Sequence, residues 1–384
     1  MKIEKLDLSN YLKELEYLVN IDSVSSDPVG TRKIAKFMME KYNSLGWNTK
    51  NYTFIDTIGP CLEITNTSDT EYDVLILAHM DTIFPIGTAT ERPFSIKGNR
   101  AYGPGINDCK AGLLSGFYAL VALEKAGGLI DKKVCVFLNS DHEIISSKYS
   151  KHHLEELAKK SKCTLVLEAG RANGNLVNKR KGIGRYHIKI DGVTAHSGIN
   201  HKDGRNAIEE IAHWVLTLQS RTDYAKETTL NIGRISGGVS ISAVPAHAEA
   251  ELDIRFYDKA EAASIESLLQ HLVENPHVQG TKAGVTGEIT RPAMIPSDMT
   301  NALCQIIDKI GKELHMDFAW EASGGGSDGS FSAAVGTPTV DALGPVGGNA
   351  HSPQEYLEID TIIPRYKLLC EIIFHVVNHK VDLP

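Results

Sequence analysis

Three short apolar runs, DVLILAHMD, KVCVFLNSD and TLVLEAG, constrain the fold of this 384-residue chain more than any other feature. Each is bounded by polar or Gly-rich residues and reads as a buried strand. Helical patterns lie between them, in CKAGLLSGFYALVALEKAG and SKHHLEELAKKS, and two more precede them, across the first twenty residues and GTRKIAKFMMEKYNSLG. Strands alternating with helices predict βα units around a largely parallel sheet. A ligand of such a sheet sits beyond the carboxyl ends of the strands, so the polar residues just past each run are where chemistry is expected.

The pattern changes near Gly182. RYHIKIDG, a helix through NAIEEIAHWVLTLQS, TTLNIGRIS, AEAELDIRF, a helix through KAEAASIESLLQHLV, and GVTGEIT follow in the order β-α-β-β-α-β. That order is the split βαβ arrangement of a small four-stranded sheet with two helices, which can close as a unit of its own. After Arg291-Pro292 the first pattern resumes. The expected organisation is therefore a discontinuous α/β domain over 1–181 and 292–384, with a second domain inserted over 182–291.

Composition narrows the function classes. Hydrophobic residues make up 42% and charged residues 23%, the balance of a globular chain with a real core. A net charge of -8 argues against nucleic acid as a partner. No apolar stretch approaches the roughly 18 residues that span a bilayer, and the first residues form an amphipathic pattern without a signal-peptide core, so no membrane partner and a cytoplasmic location are expected. The six cysteines form no CxxC pair and read as buried thiols of a reducing compartment.

Five residues lie in suggestive local contexts, at strand ends or in glycine-rich loops: His79, Asp108, Glu143, Glu168 and His351. In LILAHMDT, His79 and Asp81 are two apart and share a strand face, so Asp81 can accept one ring proton of His79 and turn the other nitrogen outward. Asp108 lies in GPGINDCKAG ahead of a helix, where a helix cap is an equally ordinary reading. Glu143 and Glu168 follow apolar strands, where a carboxylate is costly without a compensating cation. His351 stands in GPVGGNAHSP, between glycines that permit close backbone approach and a proline that stiffens the exit. Each residue alone has an ordinary structural explanation. Together, imidazoles and carboxylates without thiolates suit zinc, cobalt or manganese at a hydrolytic centre, two ions with Asp108 between them.

The ordered series HMD, GPGINDCKAG, DHE, LEAG, GVTAHSG, DIRF, GGGSDG and GGNAHSPQEY resembles the zinc-dependent exopeptidases and deacylases that include carboxypeptidase G, aminoacylase and acetylornithine deacetylase. The resemblance spans nearly the whole chain. It implies a zinc-exopeptidase-like catalytic domain and an inserted ferredoxin-like lid and dimerisation domain, hence a homodimer. It also implies two zinc ions per chain, with Asp108 as the bridge. His79 and Glu168 complete one site, Glu143 and His351 the other, and Asp81 orients His79. His196 of AHSG is implied to reach the neighbouring subunit's active site and stabilise a carbonyl oxygen. Arg255 of DIRF is implied to hold a substrate carboxylate in two-point fashion, although a surface ion pair would explain it without the resemblance. The loop from Gly324 to Ser327, Gly325 included, and Asp328 are implied to wall the substrate pocket.

Two departures qualify what the resemblance implies. The family's proton-shuttling glutamate, just before the metal-binding glutamate, is His142 here, and the next family glycine is Ile145. A neutral imidazole can take a proton, but its nitrogens sit at other distances and angles than carboxylate oxygens, and displacement of about 1 Å can cost on the order of 100-fold. In GGVSISAVPA, Ser242 replaces a substrate-contacting asparagine. The leading expectation is a two-zinc hydrolase that cleaves an amide bond in a small peptide or N-acyl amino acid with a free carboxylate. The rival is a catalytically impaired relative that keeps metal and binds a peptide or amino-acid derivative. An unrelated structural protein with coincidental motifs is a third.

Overall fold

The computed structural model describes residues 3–378. It opens on two helices, α1 (Leu8–Val19) and α2 (Pro28–Asn43). Asp27 caps α2 by accepting from the Val29 N–H, with Pro28 in the first turn, where its missing N–H costs nothing. There follow β1 (Asn48–Tyr52), β2 (Cys61–Thr65), β3 (Val74–His79), α3 (Ala111–Lys125), β4 (Val134–Asn139), α4 (Lys151–Lys159) and β5 (Thr164–Val166). After an inserted segment come α5 (Asp298–Glu313), α6 (Gly329–Ala334), β6 (Thr339–Val340) and α7 (Ile362–Asn378).

These strands form one sheet in the order β1-β2-β4-β3-β5-β6. The expected parallel core is present: β3 pairs in parallel with β4 and β5, and β6 with β5. β1 and β2 add an antiparallel edge. β3 and β4 are buried at every position, as strands covered on both faces must be. Helix α3 packs close to this sheet. A Cβ added at Gly112 would lie 1.9 Å from the Leu167 carbonyl oxygen, so only glycine permits that approach.

The registers place the site. His79 is the last residue of β3 and pairs with Asn139, the last of β4, while Leu77 pairs with Val166, the last of β5. Parallel strands end on the same side, so His79, the segment after Asn139 and the segment after Val166 emerge together.

Residues Arg180–Met294 and Gly324–Gly326 form a compact unit separate from Met1–Lys179, Ile295–Ser323 and Ser327–Pro384. The insertion contains β7 (Gly182–Asp191), α8 (Ala207–Gln219), β8 (Thr229–Gly237), β9 (His247–Phe256), α9 (Lys259–Glu274) and β10 (Lys282–Arg291). Its all-antiparallel sheet has the order β8-β9-β7-β10. β9 throughout, and β7 from Gly184 onward, alternate between buried and less buried positions, and Ile188, Ile190, Ala250, Leu252 and Ile254 join Trp214, Ile211 and Leu269 of the helices in one core. This sheet is covered by helices on one face only. Among the described residues no helix is long and apolar enough to cross a membrane. All six cysteines are free and buried.

Candidate metal centre

The first unit brings together His79, Asp108, Glu143, Glu168 and His351, drawn from positions as far apart as 79 and 351. His79 Nε2 lies 3.1 Å from Asp108 Oδ1 and 3.7 Å from Glu168 Oε1. On the other side of Asp108, its Oδ2 lies 3.3 Å from His351 Nε2, which is also 3.1 Å from Glu143 Oε2. One carboxylate thus faces two imidazoles, with a further carboxylate beside each. Donors bound about 2.0–2.1 Å from a tetrahedral ion are separated by about 3.3 Å, which is the spacing observed. The donor types and their spacing fit one divalent ion on each side of Asp108.

Local structure explains how these groups are held. Asp108 lies in a turn over Ile106–Lys110 that breaks helical geometry, with φ -118° and ψ 87°. The main-chain N–H groups of Gly105, Asn107 and Asp108 all donate to the buried carboxylate of Glu355, at 2.9–3.0 Å. Glu355 escaped the sequence reading; its only signal there is its place four residues after His351 in NAHSPQEY. His351 has a left-handed backbone with φ 64°, a strained conformation for a non-glycine residue that costs on the order of 1 kcal/mol. The segment after β4 is pinned by Asp141, whose carboxylate accepts from the Ser150 hydroxyl and the Tyr149 and Ser150 N–H groups. Ser146 and Ser147, just after Ile145, carry positive φ there.

Asp81 is fully buried beside His79, but the nearer acceptor for His79 Nδ1 is the Asp81 main-chain carbonyl at 3.0 Å, with the carboxylate Oδ1 at 3.5 Å. The expected carboxylate contact is therefore the weaker of the two. Asp81 Oδ2 instead accepts from Ser25 Oγ at 2.5 Å and from the Glu143 N–H at 2.9 Å, which ties the two histidine-bearing and glutamate-bearing segments together. Ser25 is another contributor that no sequence pattern marked.

Electrostatics favours a cation here. Burial, then the charge of Asp108, pushes the Glu168 carboxyl up to about 7. Hydrogen bonds to Asp108 and Glu143 raise His351 to about 10. Asp108 is held well below its ordinary value: burial opposes ionisation, but His351 and His79 outweigh it. These are the responses of a carboxylate cluster that draws positive charge from whatever is near.

His142 lies flat against His79, with ring centres 4.1 Å apart and planes 5° from parallel. Its Nε2 faces Glu168 Oε1 at 3.5 Å and its Nδ1 lies 3.1 Å from Asp328 Oδ2. Asp328, expected in a pocket wall, is 5% exposed, and its carboxylate is engaged within the fold by Asn139, Ser147 and His142.

The remaining candidates belong to the inserted unit. His196 is exposed, and its Nδ1 accepts from the Gly198 N–H at 3.1 Å, which leaves the proton on Nε2. Ser242 adjoins it: the Ser197 N–H donates to the Ser242 carbonyl at 2.9 Å. Arg255 is clasped in two-point fashion by Asp253, at 2.7 and 2.9 Å, and donates to the Gly324 carbonyl. The ion-pair alternative for Arg255 is thus what this structure contains; a substrate carboxylate would have to displace Asp253. The Gly325 carbonyl accepts from Arg180.

Residues 178–281 match the peptidase dimerisation domain of the M20 family. Carboxypeptidase G2 of Pseudomonas sp. (strain RS-16) is 26% identical over 369 residues, 94% of this chain and 88% of its own. A tripeptidase from Staphylococcus aureus shares the fold with a TM-score of 0.78 at 22% identity, over 98% of this chain and 100% of its own. A dinuclear metal binding peptidase of the M20 family from Bacillus subtilis does so at 0.71 and 16% identity, over 96% and 98%. Fold and donor set together define an enzyme of the metallopeptidase and amidohydrolase class. Within that class, the chain is similar to the M20 peptidases and their deacylase relatives.

Proposed function

We propose that this protein is a two-zinc hydrolase, acting as a homodimer in the cytoplasm, that cleaves an amide bond in a small peptide or N-acyl amino acid carrying a free carboxylate. The observation that carries the proposal is the convergence of His79, Asp108, Glu143, Glu168 and His351 with Nε2-to-oxygen separations of 3.1–3.7 Å. His79 and Glu168 would hold one ion, Glu143 and His351 the other, and Asp108 both. Bound divalent ions supply Lewis acidity, which lowers the pKa of water toward about 7 and polarises a carbonyl. In this reading His142 takes the proton of the attacking water on Nε2 and returns it to the departing amine nitrogen. His196 donates Nε2–H to the carbonyl oxygen in the neighbouring subunit's site, and Arg255 exchanges Asp253 for the substrate carboxylate, with Ser242 and Gly325 on the substrate side. The matched dimerisation domain supports the homodimer, and six buried free cysteines support a reducing compartment.

His142 also favours a second reading, a relative that binds metal and an amino-acid derivative without turnover. The test loads the dialysed protein with zinc, measures metal per chain, and assays a panel of dipeptides and N-acyl amino acids beside a His142→Glu variant. Two ions per chain with turnover by the unaltered protein is the expected result. Turnover by the variant alone favours the second reading, and failure to retain metal overturns both.

A further inference from the structure

His142 does not stand alone. Its Nδ1 lies 3.1 Å from Asp328 Oδ2, and both side chains are buried, at 7% and 5% exposure. Asp328 is itself fixed: Oδ2 accepts from Asn139 Nδ2 at 2.6 Å and Oδ1 from Ser147 Oγ at 2.5 Å. Asn139 in turn reaches Ser147 Oγ at 3.1 Å and Ser150 Oγ at 3.3 Å. Asn139 is the last residue of β4, so the network ties the carboxylate to the rigid sheet rather than to a loop.

Donors on two sides keep Asp328 an acceptor toward His142. The proton of a neutral His142 ring then sits on Nδ1, and Nε2 presents its lone pair toward Glu168 and the other candidate metal ligands. The stacking sharpens this. Two rings 5° from parallel with centres 4.1 Å apart cannot both aim in-plane lone pairs at one ion, so His142 would stand beside an ion held by His79 and would not join its ligands.

We propose that Asp328 is a positioning residue: it locks the tautomer and orientation of His142, so that the buried Asp328–His142 pair acts as one proton-shuttling unit. Water loses a proton to His142 Nε2, the resulting imidazolium is stabilised by the Asp328 carboxylate, and the same proton passes to the amine nitrogen as the C–N bond breaks. The same physics operates in serine proteases, where aspartate-to-asparagine replacement beside the catalytic histidine lowers kcat about 10⁴-fold by selecting the wrong tautomer.

The rate arm of this inference rests on the hydrolase reading above, whereas its tautomer arm does not. Nitrogen-15 NMR of histidine-labelled, zinc-loaded protein should find His142 protonated on Nδ1 and bare on Nε2. Asp328→Ala, which removes the acceptor outright, should release the Nδ1 proton to Nε2 and lower kcat by about 100-fold or more, while KM stays within about threefold and metal per chain is unchanged. In a His142→Glu background, which has no tautomer to select, Asp328→Ala should change kcat far less. A His142 ring carrying its proton on Nε2 in the unaltered protein overturns the inference even if no substrate is ever found and even if Asp328→Ala does not fold. So does a folded Asp328→Ala variant with unaltered kcat.

Discussion

The two units solve folding differently. The inserted unit is built on local rules: alternation along β9 and most of β7 puts an apolar face against two amphipathic helices, and its fully buried Glu210 is answered by Trp214 Nε1 and the Val278 N–H. The first unit instead buries many polar groups around its strand ends, among them Asn139, Asp141, His142, Ser147, Asp328 and Glu355, and holds His351 in strained backbone. Apolar burial stabilises wherever it occurs, but a buried polar group is tolerated only when its partners arrive together. The contrast teaches where chemistry resides: in the region whose stability depends on long-range polar agreement.

Three perturbations break or sharpen this contrast. The largest effect is expected from Trp214→Ala, which empties the centre of the inserted core and should cost about 3–5 kcal/mol in denaturant unfolding of that unit. Zinc affinity, measured by calorimetric titration, should not move; a parallel loss of metal would dissolve the distinction between the units. Asp81→Asn should lower zinc affinity about 10- to 100-fold, because the residue braces both His79 and the Glu143 N–H. Unchanged affinity would mean that the Asp81 main-chain carbonyl alone orients His79. The smallest effect belongs to Glu63, a buried polar group of the first unit whose partners are ordinary. A hydrogen bond from His153, and others from Lys50 and Tyr52, lower its carboxyl to about 2. Its folded value lies below its unfolded one, so its contribution is complete above about pH 4.5 and disappears as pH falls toward 2. Glu63→Gln should therefore cost about 1 kcal/mol near neutrality and nothing at the acid end, as read from unfolding free energy against pH.

Periodicity and run length carried most of the fold into view. Continuous apolar runs marked β3, β4 and β5, and β-α-β-β-α-β marked the insertion, because these signals arise within ten or fifteen residues. β1, with its exposed polar positions, left no such mark. At the candidate centre, the five donors were visible as residue types, three at or past strand ends and two, Asp108 and His351, in glycine-rich loops. Their supports were not. Glu355 contributes through three backbone N–H groups some 250 positions away, and Ser25 through a hydroxyl on Asp81, contacts that only the tertiary fold creates. Arg255 shows the opposite limit: its type fitted a substrate carboxylate, and the folded chain filled the fork with Asp253 two residues earlier.

The insertion leaves and re-enters through one doorway. The Arg180 and Met294 main chains exchange N–H to carbonyl hydrogen bonds, both at 2.9 Å, so more than a hundred residues depart and return at nearly the same point. To the rest of the polypeptide, that excursion amounts to a tight hairpin, and closing it adds little entropy once the inserted piece has folded. Evolution could thus lengthen, trade or reshape the whole appendage with its stem left intact, a modularity that would let one hydrolytic chassis acquire different clientele.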